Sequence, residues 1–413
     1  MGRTRVASTN ICMDGMYACE MIRIQLTSRQ EDNQCSEGIL IVPPETGVKE
    51  LDDLLEHMCG KRGFTYRIQQ KVLRQCIRDT ICNLGISNED IVTIEYEETS
   101  PLPKACQTIS EPDWIRCLAI GRERGKILSG SFDRCIRLYT TLDGEPITFK
   151  GLFDTVTALL WLDEERFVAG GADGSIFVWH CNHTLWPVCR LRCGSGAPIQ
   201  SMCLFKYHIY IAHYDGSVCK FSLSSIPSTI EMKQETCVSS KKRDKTPPIA
   251  SVNHSGEFPS NNIAIASLLS NTSYWYKFSW DGSIQQYNHD DLVLYSKCTA
   301  PISCASLLDE SIYLTGHSNG TVRVWKDHEL VNTFHAHNGW VSSITVIDGN
   351  TFVTTGYDGV VKAWDRNDLE SPTAILYEPS KSSTKVLCSC FDDGAEAMLV
   401  VGGESKTLQA FKF

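Results

Sequence analysis

Residues 357–364 read Tyr357-Asp-Gly-Val-Val-Lys-Ala-Trp364, and this short stretch decides the fold. Asp-Gly is a tight-turn pair, and the apolar alternation that follows it, closed by an aromatic residue, predicts a half-buried β-strand. The same motif occurs six more times along the chain. These copies run from Ser131 to Tyr139, Ala172 to Trp179, Tyr214 to Phe221, Trp280 to Tyr287, Ser318 to Trp325 and, in a degenerate form, Ser405 to Phe411.

The copies recur with a period near 40 residues. Successive turn residues are 38 to 42 positions apart from Asp133 to Asp358, except for a step of 66 between Asp215 and Asp281. This period, with Asp-Gly ahead of a strand that ends in Trp, is the signature of WD repeats, each of which forms one four-stranded blade. The sequence therefore predicts an all-β, seven-bladed WD-repeat propeller over residues 105–413. Such a fold favours a binding scaffold over an enzyme.

The first hundred residues have a different pattern. Residues 1–20 lack periodicity and are predicted to be a flexible extension. The elements predicted after them are strands at 22–26 and 39–42, a helix at 48–58, and strands at 66–70, 72–73 and 91–96. This order predicts a small α+β ubiquitin-like domain at residues 21–98, followed by a linker at 99–104. Residues 105–109 are expected to pair with the last blade and close the ring.

Charge and composition narrow the class of protein. The chain has 39 basic and 49 acidic residues, a net charge of −10, which disfavours broad binding to a phosphate backbone. We expect neither a membrane-spanning segment nor a signal peptide.

The 19 cysteines include no Cys-x-x-Cys pair. Those at the predicted starts of blades are interpreted as small buried apolar residues: Cys117, Cys203, Cys304, Cys388 and Cys390. We therefore predict no cofactor, and no metal bound by this chain alone.

The long step between Asp215 and Asp281 predicts a disordered insertion at about residues 224–257. It contains a basic run of Lys241, Lys242, Arg243 and Lys245. One interpretation is a nuclear-localisation signal or an RNA-contacting patch, and the other is a solvated loop without a partner. Any affinity for rRNA is expected to be weak and salt dependent.

Several polar and aromatic residues could be mistaken for a reactive site. His337, Thr354, Asp358 and Trp364 match the hydrogen-bonded tetrad of a WD blade, and we interpret them as structural rather than hydrolytic. His213 and His317 occupy equivalent places, so they are interpreted as strand-end residues rather than ligands. Among the aromatic residues, Trp186, Trp275 and Tyr276 are predicted to be exposed anchors for a partner.

With these features the chain resembles the WD-repeat ribosome-biogenesis subunit of the PeBoW complex, the partner of Pescadillo and the Bop protein. The most specific motifs are Gly85-Ile-Ser-Asn-Glu89 before Thr93-Ile-Glu-Tyr96, and Ser110-Glu-Pro-Asp-Trp114. The resemblance implies a non-catalytic factor for rRNA maturation and the large (60S) ribosomal subunit, in the nucleus, nucleolus and nucleoplasm. It further implies that the propeller binds the Bop-type protein. The AAA ATPase midasin would bind the ubiquitin-like head and release the factor from the pre-ribosome.

The same resemblance assigns a role to Glu89. In the family, an acid that follows Gly-Leu-Ser-x completes the coordination of Mg²⁺ in the metal-ion-dependent adhesion site (MIDAS) of midasin, and Glu89 matches that position. Mg²⁺ prefers carboxylate oxygen, so a single exposed acid suits this task. The neighbouring Asp90 is an alternative, and a solvated acidic loop without a partner is another.

Two rival families remain open at this point. A Notchless-type pre-ribosome factor also pairs a midasin-binding head with WD repeats, but it has an eighth blade. A substrate receptor of a ubiquitin ligase would use its propeller to bind other proteins.

Overall fold

The computed structural model describes residues 21–28, 38–61, 63–87, 89–98, 103–121, 125–141, 143–182, 185–227, 250–258, 260, 262–379, 384–393 and 397–412. The chain divides into two compact units, Met1–Pro101 and Leu102–Phe413, called here the head and the ring. The predicted extension at 1–20 lies outside the described residues. No helix among these residues is long and apolar enough to cross a membrane.

The head contains one mixed β-sheet and two helices in its described part. In chain order these are β1 Ile22–Ser28, β2 Ile39–Val42, α1 Val48–Cys59, β3 Phe64–Ile68, β4 Lys71–Val72, α2 Ile77–Leu84 and β5 Ile91–Glu98. The strand order in the sheet is β2-β1-β5-β3-β4. The first and last strands, β1 and β5, pair in parallel, and the other pairs are antiparallel.

Helix α1 forms where the sequence predicts a one-sided apolar helix. Leu51 and Leu55 are fully buried in a core shared with the strands of the sheet. Glu50 accepts a hydrogen bond from the Gly47 N–H at 3.0 Å, which satisfies one free donor at the helix start. The helix ends at Gly60, whose φ of +74° favours glycine.

The sequence analysis missed α2 and predicted no element between the strands at 72–73 and 91–96. This helix is eight residues long and buries two of its side chains, Ile77 and Ile81. No side chain caps its start at Cys76, so the usual start signal is missing from the sequence. Packing against the head core, rather than local sequence preference, stabilises so short a helix.

The ring begins with β6 Lys104–Ser110, and its described residues form six four-stranded sheets and one five-stranded sheet. Blade 1 comprises β7 Ile115–Ile120, β8 Ile127–Ser131, β9 Ile136–Tyr139 and β10 Ile147–Phe149. Blade 2 comprises β11 Val156–Trp161, β12 Arg166–Gly171, β13 Ile176–His180 and β14 Cys189–Arg192. Blade 3 comprises β15 Ile199–Phe205, β16 His208–His213, β17 Val218–Ser222 and, after β18 Ala250–Asn253, β19 Gly256–Phe258.

The remaining four blades follow without a long interruption. Blade 4 comprises β20 Ile265–Ser270, β21 Trp275–Ser279, β22 Ser283–Asn288 and β23 Asp291–Lys297, and blade 5 comprises β24 Ile302–Leu307, β25 Ile312–His317, β26 Thr321–Lys326 and β27 Glu329–His335. Blade 6 comprises β28 Val341–Val346, β29 Thr351–Gly356, β30 Val361–Asp365 and β31 Ala374–Tyr377. Blade 7 comprises β32 Val386–Asp392, β33 Met398–Gly403 and β34 Thr407–Lys412.

The blades form a closed ring. The first strand of each blade contacts the first strand of the next, and β32 of blade 7 contacts β7 of blade 1. Strand β6 completes blade 7 by pairing antiparallel with β34, with Ser110 opposite Thr407 and Lys104 opposite Lys412. The predicted closure by residues 105–109 is therefore confirmed. This all-β arrangement of four-stranded sheets fits a β-propeller.

The predicted insertion is partly ordered, which corrects the sequence analysis. A short 3-10 turn spans Leu223–Ser225, and the described residues beyond 249 form β18 and β19. Strand β18 pairs in parallel with β14 and so adds a fifth strand to blade 2, while β19 is the outer strand of blade 3. These strands form because β14 and β17 offer unpaired backbone groups at the blade edges.

One backbone hydrogen bond is repeated in all seven blades. In blade 6 the Tyr357 N–H donates to the Trp340 carbonyl at 2.9 Å, and the equivalent donors are Phe132, Ala172, Tyr214, Trp280, Ser318 and Glu404. These bonds join the turn after the second strand to the connection between blades. They define one end of the ring, called here the turn face. The connections between third and fourth strands lie at the opposite end, because antiparallel strands alternate in direction.

Candidate functional site

Glu89 lies in the short loop between α2 and β5 of the head. The loop begins at Gly85, whose φ of +66° is a conformation that favours glycine. Two hydrogen bonds to Ser87 hold the turn: the Glu89 N–H donates to the Ser87 Oγ at 3.3 Å, and the Asp90 N–H donates to the Ser87 carbonyl at 3.1 Å. The loop therefore has a defined backbone at the acid that the resemblance selects.

The side chain of Glu89 is exposed. Among the described residues, no hydrogen bond or ion pair to its carboxylate is found. The contact from Arg23 goes elsewhere, because its Nη2 donates to the backbone carbonyl of Glu89. Arg23 thus fixes the loop without neutralising the acid. Asp90 is also exposed, so the geometry does not separate the two carboxylates.

Two exposed isoleucines lie beside this loop, on either side of Arg23. Arg23 of β1 is opposite Ile41 of β2 and opposite Ile91 of β5, so the three side chains form a row on one face of the sheet. Ile41 is 63 % exposed and Ile91 is 44 % exposed. An unpaired carboxylate next to exposed isoleucines suits contact with another protein better than an isolated solvated acid does.

The ring brings the four predicted tetrad residues together in blade 6. The indole N–H of Trp364 donates to Thr354 Oγ1 at 2.8 Å, Thr354 Oγ1 lies 2.8 Å from His337 Nε2, and His337 Nδ1 lies 2.9 Å from the Asp358 carboxylate. Nδ1 is assigned as the protonated nitrogen because its partner only accepts. Every polar atom in the chain of contacts then has a partner, which suits stabilisation rather than catalysis.

Asp358 also binds backbone groups of its own turn. It accepts hydrogen bonds from the N–H groups of Asn338 at 3.0 Å and Val360 at 3.1 Å. Burial opposes ionisation, but His337 and these N–H groups outweigh it and lower the pKa of Asp358. The carboxylate therefore ties the turn to the preceding connection between blades.

Blade 1 has a different network at the same place, which the sequence analysis did not find. Glu111, whose side chain is fully buried, accepts hydrogen bonds from Ser129, from the Tyr139 hydroxyl at 2.9 Å and from Arg137 at 2.9 Å. Arg137 also binds Asp133 in the turn. Burial and the Glu111 charge raise the pKa of Tyr139, so its hydroxyl remains a donor. The one sign of this network in the sequence was Glu111 itself, in the motif Ser110-Glu-Pro-Asp-Trp114.

His213 and His317 end equivalent strands and are both fully buried. The Nε2 atom of His317 lies 3.0 Å from Thr315 Oγ1, which also accepts the Trp325 indole N–H at 2.9 Å. Burial, with the charge of Arg323, lowers the pKa of His317 to about 4. His317 thus reproduces the His–Thr–Trp part of the blade 6 tetrad from a strand end, as a structural residue.

A second cluster was missed by the sequence analysis. The ligand atoms of Cys193, His213 and Cys219 all lie within 4.8 Å of one another. The three residues come from separate segments, after β14, at the end of β16 and within β17, so no short spacing motif marks them. This is the one group of at least three metal-ligating side chains found in the described part of the chain. The expectation that the chain alone binds no metal remains a prediction.

The expected aromatic anchors are only partly exposed. Trp186 is 45 % exposed, but Trp275 and Tyr276 are 0 % and 3 % exposed, so the prediction for those two residues is wrong. The reason is that β21 is an inner strand of blade 4, and both of its faces pack in the ring.

One exposed and two half-buried aromatic side chains form a group on the turn face. Trp280 and Trp340 have ring centroids 5.0 Å apart, and Trp340 stacks on Tyr357 at 5.5 Å. Trp340 is 40 % exposed. These three residues are called here the aromatic cluster, and their contiguity on the turn face suits an interface. The basic run at Lys241, Lys242, Arg243 and Lys245 lies outside the described residues.

The comparisons with known proteins agree with the ring. The sequence profile described as WD domain, G-beta repeat matches residues 104–140, 146–180 and 328–365. The chain therefore contains WD repeats. The matched segments correspond to β6–β9, β10–β13 and β27–β30, so each WD unit begins with the outer strand of one sheet and continues into the next. This offset explains why β6 closes the ring with β34.

Relatives align over most of this WD-repeat chain. The ribosome biogenesis protein WDR12 homolog of Dictyostelium discoideum is 24 % identical over 90 % of this chain and 89 % of its own length. The WDR12 homolog of Drosophila sechellia is 26 % identical over 95 % of both chains. The ribosome biogenesis protein YTM1 of Candida albicans is 23 % identical over 95 % of this chain and 97 % of its own. The resemblance predicted from the sequence is thereby confirmed.

Proposed function

We propose that this protein is a non-catalytic ribosome assembly factor for the large (60S) subunit and rRNA maturation. The names of the relatives and their alignment over nine-tenths of both chains support a role in ribosome biogenesis. The networks of polar residues in blades 1 and 6 are internally satisfied and serve stability. Location in the nucleus, nucleolus and nucleoplasm follows from this role and is part of the proposal.

The head is proposed to be ubiquitin-like. Its sheet order of β2-β1-β5-β3-β4, the parallel pairing of β1 with β5, and the burial of one face of α1 support that fold. The chain continues past β5 into further sequence, so the head acts as a docking module rather than as a conjugated tag.

The single observation that carries the proposed mechanism is the exposed carboxylate of Glu89. Mg²⁺ is a hard octahedral ion, and an open coordination position in the MIDAS domain of midasin accepts one carboxylate oxygen. Arg23 and Ser87 bind only the backbone of the loop, which leaves the Glu89 side chain available. Capture of the head by midasin would then couple ATP-driven movement to release from the pre-ribosome.

The ring is proposed to bind a Bop-type WD-repeat protein, with Pescadillo in the same assembly. The aromatic cluster of Trp280, Trp340 and Tyr357 is the surface that supports this best, because Trp and Tyr dominate the energetics of protein interfaces. The basic run of the insertion is proposed to provide a weak contact with rRNA or a nuclear-localisation signal.

The test is capture of the full-length chain by the MIDAS domain of midasin in the presence of Mg²⁺. We expect Glu89→Ala to abolish capture and Glu89→Asp to weaken it, because the shorter side chain moves the oxygen away from the metal. Asp90→Ala is the matched control and is expected to retain capture. If Asp90→Ala alone abolishes capture, the assignment moves by one residue; if neither variant changes it, the mechanism is wrong.

The rival families predict other outcomes. The seven sheets that the described residues of the ring form do not favour an eight-bladed Notchless-type factor. Affinity purification followed by mass spectrometry separates the remaining possibilities. We expect Pescadillo and a Bop-type protein, whereas recovery of cullin components would indicate a ubiquitin-ligase substrate receptor.

A further inference from the structure

The cluster of Cys193, His213 and Cys219 lies where blades 2 and 3 meet. Cys193 directly follows β14 of blade 2, while His213 and Cys219 belong to β16 and β17 of blade 3. Both His213 and Cys219 are 0 % exposed, and Cys193 is half-buried. Three soft or borderline ligand atoms are therefore brought together in an almost dry site.

The hydrogen bonding of His213 points to a ligand. Its Nδ1 lies 3.1 Å from the carbonyl of Ala197, so Nδ1 carries the proton and donates. The Nε2 atom then has a free lone pair, is buried and has no hydrogen-bond partner. Metal-bound histidines usually donate their second ring N–H to a backbone carbonyl or carboxylate in this way.

Two of the three ligands are cysteine thiols from separate segments, and their sulfur atoms lie within 4.8 Å of each other and of a ring nitrogen of His213. A thiolate is the form of cysteine that binds metal, and a bound divalent cation would displace the proton of each thiol.

The neighbouring strand carries a candidate for the fourth ligand. Glu257 of β19 is the direct cross-strand partner of Cys219, so both side chains lie on the same face of the blade. A carboxylate oxygen of Glu257 would lie only 3.2 Å from a Cβ atom added to Gly194, the residue after Cys193. The absence of a side chain at Gly194 therefore leaves this oxygen room beside the cluster.

We propose that Cys193 Sγ, His213 Nε2 and Cys219 Sγ bind one Zn²⁺ ion, with the Glu257 carboxylate or a water molecule in the fourth tetrahedral position. Two thiolates and an imidazole suit Zn²⁺ and do not suit Mg²⁺ or Ca²⁺, which prefer oxygen. The ion would join the end of β14 to β16, β17 and β19. It would thus hold blade 3 together where the blade lacks the tetrad of blade 6 and where the chain returns from residues 228–249.

The test uses the full-length, untagged protein purified without chelators and in the presence of a thiol reductant. Elemental analysis is expected to find about one zinc per chain. Cobalt substitution should give sulfur-to-cobalt charge-transfer absorption and the strong visible bands of a tetrahedral site. We expect Cys219→Ser and His213→Asn to lose the metal, whereas Cys304→Ser, the same type of change at a buried cysteine of blade 5, should retain it.

A measurement on the unaltered protein covers the case in which the variants fail to fold. A strong chelator should lower the thermal unfolding midpoint, and Zn²⁺ should restore it. Zinc well below one per chain after incubation with Zn²⁺, or cobalt spectra without thiolate bands, would overturn the proposal. So would a Cys193–Cys219 disulfide in the metal-free protein kept under the reductant.

Discussion

His213 and His317 occupy the same position in blades 3 and 5, but only the Nε2 atom of His317 has a hydrogen-bond partner among the described residues. The residue two positions earlier accounts for this difference, since it is Thr315 in blade 5 and Ile211 in blade 3. The residue six positions later differs too, being Arg323 in blade 5 and Cys219 in blade 3. The same backbone position therefore supports a complete hydrogen-bond network in blade 5, whereas in blade 3 the Nε2 lone pair of His213 lacks a hydrogen-bond partner among the described residues.

The same space also receives an imidazole from a different part of the chain. In blade 6 the strand-end residue is Gly356, and a Cβ atom there would lie 2.6 Å from the His337 ring. The ring of His337 comes from the connection between blades, whereas His317 comes from the strand end itself. Divergent repeats can thus preserve the contact between a histidine Nε2 and a threonine hydroxyl while the histidine comes from a different position in the repeat.

We predict that Arg23→Ala weakens capture of the head by midasin without abolishing it. The guanidinium fixes the Glu89 carbonyl, so its loss frees the loop but leaves the carboxylate in place. A hydrogen bond of this kind contributes about 0.5–1.5 kcal/mol, which corresponds to about a two- to tenfold rise in Kd. Arg78→Ala is the control, because Arg78 pairs with Glu45 on the head surface. Titration of the two variants against the MIDAS domain measures the difference, and equal affinities would contradict the role of Arg23.

The aromatic cluster gives a second prediction. Trp340→Ala should weaken binding of the Bop-type partner by about 2 kcal/mol or more, or about 30-fold in Kd, because it removes the ring between Trp280 and Tyr357. Trp186→Ala is matched in residue type and exposure but lies in a connection between third and fourth strands, at the opposite end of the ring. Isothermal titration of both variants tests the choice of face. A larger loss for Trp186→Ala would assign the partner to the other end.

Glu111→Ala should destabilise the ring strongly. It removes the carboxylate that binds Ser129, Arg137 and Tyr139 and leaves a buried guanidinium with one partner fewer, a loss of about 3–5 kcal/mol in the free energy of unfolding. Asp113→Ala, two residues away, breaks an exposed pair with Lys406 and should cost about 0–1 kcal/mol. Urea unfolding followed by tryptophan fluorescence compares the two. Similar midpoints for both variants would show that the buried network adds little.

The lowered pKa of Asp358 predicts a pH dependence of stability. Because the folded-state pKa lies below the unfolded value of about 3.9, the stabilisation is present above that value and is lost as the pH falls through the folded pKa. The fall in the thermal unfolding midpoint on acidification should therefore be shallower for Asp358→Asn than for the unaltered protein. Asp291→Asn, an exposed acid, controls for the loss of one carboxylate. Parallel curves for all three proteins would contradict the prediction.

Particular residues show where sequence reasoning succeeded and where it could not. The turn at Asp358 and the strand ending in Trp364 repeat at fixed spacing, so the blades, and the strand that closes them, followed from local pattern. Helix α2 did not, because two buried isoleucines and no cap give too weak a local signal. Trp275 and Tyr276 were misplaced because adjacent residues on an inner strand are both buried when both faces of the sheet are covered.

The sequence by itself determined the repeat and the number of blades, because both depend on residues close together in the chain. The acid at Glu89 was selected by the family resemblance, and its role stays a prediction. The tertiary structure alone decided that Glu111 replaces a histidine in blade 1, that Arg23 binds the backbone carbonyl of Glu89, and that Cys193 lies close to His213 and Cys219. Those contacts join segments from different strands, and a propeller brings them together only once neighbouring blades have packed.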